Sequence, residues 1–171
     1  MGTQLRNRGL CGGMVSSSKA QAPAVHSGRG AKITSTRTIR RPAQELYERC
    51  HDLDILAQLF PEPVSLVRLS RQRFGVNRPQ APDHSFTIRI LNDRPGELIA
   101  WRGEDHGAFP HAGTIRFAAA PDDEGTEVTV TIEYEPKGGK LGGAISRWTH
   151  TGPGPLLADA LRRFRALVEA Q

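Results

Sequence analysis

Alternation of apolar and polar residues late in the chain constrains the fold more than any other feature. Val128, Val130, Ile132 and Tyr134 are separated by threonines and glutamates. Successive side chains of a β-strand point to opposite faces, so the segment predicts a strand with one buried and one solvated face. Half-buried strands of this kind are typical of antiparallel sheets.

Other segments that resemble strands precede this one, and they are separated by short turns. The turn chemistry is clearest in NDRPGE at 92–97 and APDDEG at 120–125. Short connections between successive strands indicate an antiparallel meander. The sequence predicts seven strands, at residues 31–39, 64–70, 71–77, 84–91, 96–103, 109–120 and 126–136.

Two short helices are predicted after the first strand. Pro42 suits the first turn of a helix, where its missing N–H is not needed. Apolar residues recur at helical spacing up to Cys50, and His51–Asp52 marks a break. A second short helix then covers residues 53–59.

A longer helix closes the chain, after an interruption at TGPGP, residues 151–155. Leu157, Leu161, Phe164 and Val168 line one face of it. One long helix against a curved antiparallel sheet predicts a two-layer α+β domain.

The first 30 residues differ from the rest. They are rich in Gly, Ser, Ala and Gln without periodicity, and we interpret them as a disordered tail before a domain at 31–171. The tail holds four of the 23 basic residues and no acid, so outside it 19 basic residues face 18 acidic ones. This near-neutral body does not favour a nucleic-acid partner. An organelle transit peptide and a natural start at Met14 are alternative interpretations of the tail.

Cysteine content and hydropathy bear on the compartment. Cys11 and Cys50 form no disulfide framework and no CxxC pair, which favours the reducing cytoplasm. No window approaches the roughly 18 consecutive apolar residues of a membrane span, so we expect no stable membrane insertion.

The glycine-rich stretch EYEPKGGKLGGAISRW, residues 133–148, raises the possibility of a phosphate-binding loop. In a Walker loop, Gly-Lys is followed by Ser or Thr, but Gly139-Lys140 precedes Leu141. A dinucleotide loop requires GxGxxG within a βαβ unit, whereas the predicted sheet is antiparallel. We therefore interpret the stretch as a hinge between a strand and a helix.

Several separated segments carry a family resemblance. RPAQELYE, GELIAW, PHAGTIRF, GTEVTVTIEYEPKGGKLG and ADALRRFRALVE occur in this order. Together they resemble the polyketide cyclase/dehydrase family of the SRPBCC (START-like) superfamily, and the chain is similar to coenzyme Q-binding proteins. The resemblance implies a helix-grip fold, in which a curved antiparallel sheet wraps a long C-terminal helix around a deep apolar cavity. NRPQAPD at 77–83 and THTGPGP at 149–155 depart from the usual pattern, so the ligand's identity does not carry over.

Side-chain parity assigns residues to such a cavity. A turn at Asp93–Gly96 would pair Ile90 with Ile99 and Ile88 with Trp101, which directs Trp101 inward. The predicted ligand-binding residues are Phe86, Ile88, Ile99, Trp101, Ile115, Phe117, Ile132, Trp148, Leu157 and Leu161.

Few polar residues are available for chemistry. His111 and Tyr134 are the candidate catalytic residues, as a hydrogen-bonding or acid/base pair within the cavity. No Asp or Glu is visible as a partner for a His in nucleophilic catalysis. The Glu104, Asp105, His106 and His111 cluster matches no common ligand spacing, so we expect no metal and no cofactor.

Two functions remain open. The favoured one is binding or transport of a hydrophobic small molecule such as a polyketide, quinone or lipid. The alternative is a polyketide aromatase/cyclase or dehydratase that acts in the same cavity. The sequence leaves the oligomeric state open.

Overall fold

The structure is a computed structural model that describes residues 31–80, 82–104, 111–121, 124–134 and 153–170. The tail and residues 135–152, which include the glycines of the glycine-rich stretch and Trp148, lie outside these residues. The helices and strands are β1 Ala31–Ile39, α1 Ala43–Arg49, α2 Leu53–Ala57, β2 Ser65–Arg68, β3 Arg73–Asn77, a 3₁₀ turn at Pro82–His84, β4 Phe86–Arg94, β5 Leu98–Gly103, β6 His111–Ala119, β7 Thr126–Tyr134 and α3 Pro153–Glu169.

The seven strands form one antiparallel sheet in the order β1-β7-β6-β5-β4-β3-β2. Strands β2 to β7 follow one another as a meander, and β1 pairs with β7 at the far edge. The predicted α+β fold with a seven-stranded curved antiparallel sheet and a C-terminal helix is confirmed.

The register between β4 and β5 differs from the prediction. Ile90 pairs with Trp101 and not with Ile99, because the turn lies further along and Leu91 is the extra residue of a β-bulge. The displaced turn and the bulge together shift the β4–β5 pairing by two residues from the predicted one. A shift of two preserves the side-chain face, so Trp101 still points inward despite the incorrect pairing.

Helix α3 begins earlier than the sequence predicts. Pro153, Gly154 and Pro155 belong to the helix, so the predicted interruption does not extend over them. Proline is tolerated there because N–H groups of the first helical turn have no intrahelical acceptor.

The core lies between α3 and the inner face of the sheet. The predicted face of α3 is confirmed, because Leu157, Leu161, Phe164 and Val168 are all buried in one cluster with Ile39, Leu46, Ile55, Ile99, Phe117, Val128 and Val130.

Two contacts with the start of the domain hold the end of α3. The Arg41 Nε donates to the carbonyl oxygen of Val168 at 3.0 Å, and the Arg40 backbone N–H donates to the Glu169 carboxylate at 3.0 Å. These contacts satisfy a free carbonyl at the helix end and fix the long helix along β1.

The break between α1 and α2 falls where the sequence predicts it. The Asp52 carboxylate caps α2 by accepting from the backbone N–H groups of Asp54 at 3.0 Å and Ile55 at 3.2 Å. Helix α2 ends at Ala57, two residues before the predicted end. Pro42 occupies the N-cap position of α1 with φ of −61°, just before the first turn.

Candidate ligand-binding cavity

A cavity of about 340 Å³ lies between the sheet, the α1–α2 region and the start of α3. Most of its wall is aliphatic or aromatic. Its lining residues are Ile33, Cys50, His51, Leu53, Leu56, Leu59, Phe60, Pro61, Leu66, Phe74, Val76, Phe86, Ile88, Ile90, Ile99, Trp101, His111, Ile115, Ile132, Tyr134, Leu156, Leu157 and Ala160.

Trp101 forms the centre of the sheet wall, and a glycine on the next strand makes room for it. Gly113 is its cross-strand partner on β6. A Cβ atom at position 113 would lie 2.2 Å from Cζ2 of Trp101, so the indole lies directly across the glycine backbone. The local requirement for glycine is therefore steric and arises from the ring that covers it.

A second glycine makes room for His111. Gly103 on β5 lies beneath the His111 ring of β6, two residues along from the Trp101 and Gly113 pair. A Cβ atom on Gly103 would lie 2.7 Å from Cε1 of the His111 ring. The edge of that ring packs against Phe86, with the ring centroids 4.9 Å apart and the planes at 82°. The residue is 8% exposed, so His111 is a buried wall residue and does not lie at a solvated rim.

Tyr134 faces the cavity beside His111, because the two are direct partners across β6 and β7. Its hydroxyl has no hydrogen-bond partner among the described residues. The pair therefore brings one imidazole and one phenol together at one end of the cavity wall.

The cavity is covered by residues 50–61, which we call the roof segment. This segment contributes Cys50, His51, Leu53, Leu56, Leu59, Phe60 and Pro61 to the lining. Sequence analysis assigned none of these residues to the site. Burial raises the pKa of the Cys50 thiol to about 12, so Cys50 stays protonated and acts as an apolar wall residue.

One end of the roof segment is fixed by a polar cluster that the sequence did not reveal. The Asp93 carboxylate accepts from the Tyr47 hydroxyl at 2.8 Å and contacts Nε2 of His51 at 3.2 Å. The contact between His51 and Asp93 was not predicted. The two residues are 42 positions apart and meet only through the packing of α1 against the β4–β5 turn, so no local pattern could have indicated the pair.

Both ring nitrogens of His51 face acceptors. Nδ1 lies 3.0 Å from the carbonyl oxygen of Tyr47, and Nε2 faces Asp93. A neutral imidazole has a single N–H, so only the imidazolium form donates to both. Burial, and secondarily the hydrogen bond and charge of Asp93, raise the pKa of Tyr47 to about 12, so its hydroxyl remains a donor.

Two further contacts attach the roof segment to its surroundings. The Arg163 guanidinium of α3 donates to the carbonyl oxygen of Leu59 at 3.2 Å. Just beyond the segment, Glu62 forms an ion pair with Arg78, whose side chain is buried at the end of β3.

The structure places the predicted site residues in three groups. Phe117 and Leu161 belong to the core cluster and are not among the residues that line the cavity. Trp148 lies outside the described residues. The remaining nine line the cavity together: Phe86, Ile88, Ile99, Trp101, His111, Ile115, Ile132, Tyr134 and Leu157.

Metal binding has no support in the part of the chain that is described, where no group of three or more His, Cys, Asp or Glu side chains could hold an ion. Asp105 and His106 fall outside it, as does the glycine-rich hinge. None of the described helices is long and apolar enough to cross a bilayer.

An apolar cavity between a curved antiparallel sheet and a C-terminal helix defines a helix-grip protein. The chain belongs to the family described as "Polyketide cyclase / dehydrase and lipid transport", whose profile matches residues 30–169. A comparison with functionally curated proteins gave no match.

Solved structures share the fold. The protein DR_A0006 of Deinococcus radiodurans is 27% identical with a TM-score of 0.56, covering 80% of this chain and 95% of its own. A START superfamily protein of Mycobacterium smegmatis is 13% identical with a TM-score of 0.60, covering 81% and 97%. The Zhui aromatase/cyclase of Streptomyces sp. R1128 is 18% identical with a TM-score of 0.55, covering 81% and 96%.

Proposed function

We propose that the protein binds and carries a hydrophobic small molecule, of the polyketide, quinone or lipid type, in the cavity beneath the roof segment. The observation that carries the proposal is the lining itself: about 340 Å³ of space walled mainly by aliphatic and aromatic side chains. This volume lies at the lower end of the roughly 300–1,000 Å³ of ligand pockets. Binding there removes apolar ligand surface from water, which is favourable without any reactive group.

Native mass spectrometry of the freshly purified protein tests the proposal by detecting a co-purified apolar compound. The same compound should then be displaced when the cavity is filled. Ala160 lines the cavity from α3, so Ala160→Phe should abolish binding while the fold is retained. Ala166→Phe is the matched control, because Ala166 is exposed on the same helix. Equal binding by both variants would place the ligand elsewhere.

The second candidate function is a cyclase or dehydratase, and the juxtaposition of His111 and Tyr134 supports it. The two residues are cross-strand partners in a buried wall, where an imidazole and a phenol could transfer protons to a bound polyketide. If this is the function, His111→Ala should reduce turnover of a short poly-β-ketone by a factor on the order of 10²–10⁴ with ligand affinity nearly unchanged. If the protein only carries the ligand, no turnover is seen, and the variant weakens binding by roughly 0.5–1.5 kcal/mol.

We also propose a cytoplasmic location, because Cys50 is a free thiol, as is usual in a reducing compartment.

A further inference from the structure

We infer that the cavity selects uncharged, compact ligands with a single polar group, and that this group points toward Tyr134. The inference rests on the proposed function and narrows its ligand class. It depends on which polar atoms in the cavity wall are available to a ligand and which are already engaged.

The described wall of the cavity carries no acidic residue, lysine or arginine. An anionic ligand would therefore lose its hydration without gaining a cationic partner from these walls. Burial of an unpaired carboxylate costs several kcal/mol, so free acids are disfavoured against neutral molecules of the same shape.

Two histidines also line the cavity. His111 packs against the Phe86 ring, and His51 has both ring nitrogens occupied. Its two ring nitrogens face the Tyr47 carbonyl and the Asp93 carboxylate at 3.0 and 3.2 Å. A ligand at this end of the cavity meets ring carbons and not a free N–H. The contact between His51 and Asp93 is therefore closed to the ligand.

The roof offers no other strong polar group. Cys50 lines the cavity close to His51, but burial raises the pKa of its thiol to about 12. A neutral thiol is only a weak donor. The roof end of the cavity is thus suited to the apolar body of a ligand.

Tyr134 supplies a polar group at the end of the cavity away from His51. Tyr134 lines the cavity, and its hydroxyl has no hydrogen-bond partner among the described residues. A phenol donates and accepts, so it suits a ketone, a hydroxyl or a quinone oxygen. A ligand with one such group gains a hydrogen bond only when that group points toward Tyr134 and its rings lie along Trp101 and the roof.

Three probes of similar size test the inference on the full chain at pH 7.5: 2-naphthol, 2-naphthoate and naphthalene. Affinities are measured by tryptophan fluorescence or calorimetry. We expect 2-naphthol to bind, and 2-naphthoate to bind about a hundredfold more weakly or worse. Naphthoate binding should strengthen about tenfold for each unit that the pH falls toward the pKa of the acid, because the neutral form enters.

Tyr134→Phe tests the orientation. It should weaken 2-naphthol binding roughly three- to tenfold and leave naphthalene binding within about twofold. The matched control is Thr131→Val, which removes a hydroxyl from the same strand on the outer face, where it contacts Thr34. This control should alter neither affinity.

The outcomes separate the two proposals. Naphthoate binding as tightly as naphthol would overturn the selectivity inference while the proposed function stands. An unchanged naphthol affinity in Tyr134→Phe would overturn the orientation. Failure of all three probes to bind would contradict the proposed function itself. The naphthol and naphthoate comparison needs no variant, so it decides the selectivity even if Tyr134→Phe does not fold.

Discussion

At the residue scale, two glycines in the cavity wall are required by the rings that lie across them. Gly113 lies beneath Trp101, and Gly103 beneath His111. Neither position is set by an unusual backbone angle, because the described glycines with positive φ are Gly96 and Gly125 in turns. The two glycines let large rings lie flat against the sheet, so that the ring faces form the cavity floor.

Gly113→Ala tests this arrangement. The new Cβ would collide with the indole of Trp101, and we expect a loss of about 1–3 kcal/mol in the free energy of unfolding from the forced repacking. Tryptophan emission should shift as the indole moves, and urea unfolding measures the stability. Gly154→Ala is the control, since a Cβ there meets nothing within 4 Å and helix propensity favours alanine by about 1 kcal/mol. Equal stability of the two variants would contradict the steric account.

At the scale of secondary structure elements, the roof segment is attached by apolar packing, with Ile55 buried in the core cluster, and by polar contacts at its ends. Asp93 binds one end through Tyr47 and His51, and Arg163 binds the carbonyl of Leu59 near the other. Movement of the roof segment would widen access to the cavity that it lines. Short helices with few hydrogen bonds to the sheet open at lower free energy than the paired strands, so the roof segment is the expected moving part.

Asp93→Asn should loosen this attachment. The amide has only one acceptor oxygen in place of the two that face the Tyr47 hydroxyl and His51 Nε2, so we expect a loss of about 1 kcal/mol in stability and faster amide exchange across residues 50–61. The pKa of Tyr47, raised to about 12 in part by Asp93, should move toward its ordinary value, as spectrophotometric titration would show. Because Asp93 does not line the cavity, the ranking of probe affinities should be unchanged while their association and dissociation both quicken.

If exchange across residues 50–61 stays as slow as in the unmodified protein, the roof segment is held by its apolar packing and not by Asp93. A shift of the Tyr47 pKa without faster exchange would point to the same conclusion.

At the scale of the whole molecule, the outer face of the sheet depends on a carboxylate shared by two arginines. Arg73 and Arg89 are cross-strand neighbours on β3 and β4, and both form ion pairs with Glu104. Like charges directly opposite each other destabilise a sheet, so Glu104 offsets a repulsion that the register creates. Hydrogen bonding from Arg73, and then from Arg89, holds the pKa of Glu104 below its usual range.

The lowered pKa predicts an acid-dependent contribution to stability. A carboxyl group with a depressed pKa in the folded state stabilises the protein above its unfolded-state pKa of about 4.3, and this contribution is lost as the pH falls through the folded-state pKa. Glu104→Gln should therefore be less stable than the parent at pH 7, and the difference should disappear in strong acid. Urea unfolding at several pH values measures it. Glu127→Gln, on the same face, is the control, and an equal effect of both variants would contradict a specific role for Glu104.

Much of the architecture follows from the sequence because it depends on local periodicity. The alternation in β7 and the apolar face of α3 are visible in short windows, and both are buried as predicted. Parity along strands also directed Trp101, His111 and Tyr134 into the cavity, and this survived an incorrect β4–β5 register because the error was two residues. Strand parity repeats every two residues, so it tolerates even shifts and fails on odd ones.

Tertiary structure decided the rest. The roof segment carries no pattern that marks a cavity wall, since its leucines would look the same in any amphipathic helix. The contact of His51 with Asp93 depends on where α1 docks against the β4–β5 turn. Phe117 and Leu161 lie in the core and not in the cavity wall, because parity predicts which face a side chain is on but not its position along the strand or helix relative to the cavity. Local sequence determines which side of an element is apolar, through the fixed geometry of strands and helices. Only the packing of distant elements determines whether that side closes against a core or leaves space for a ligand.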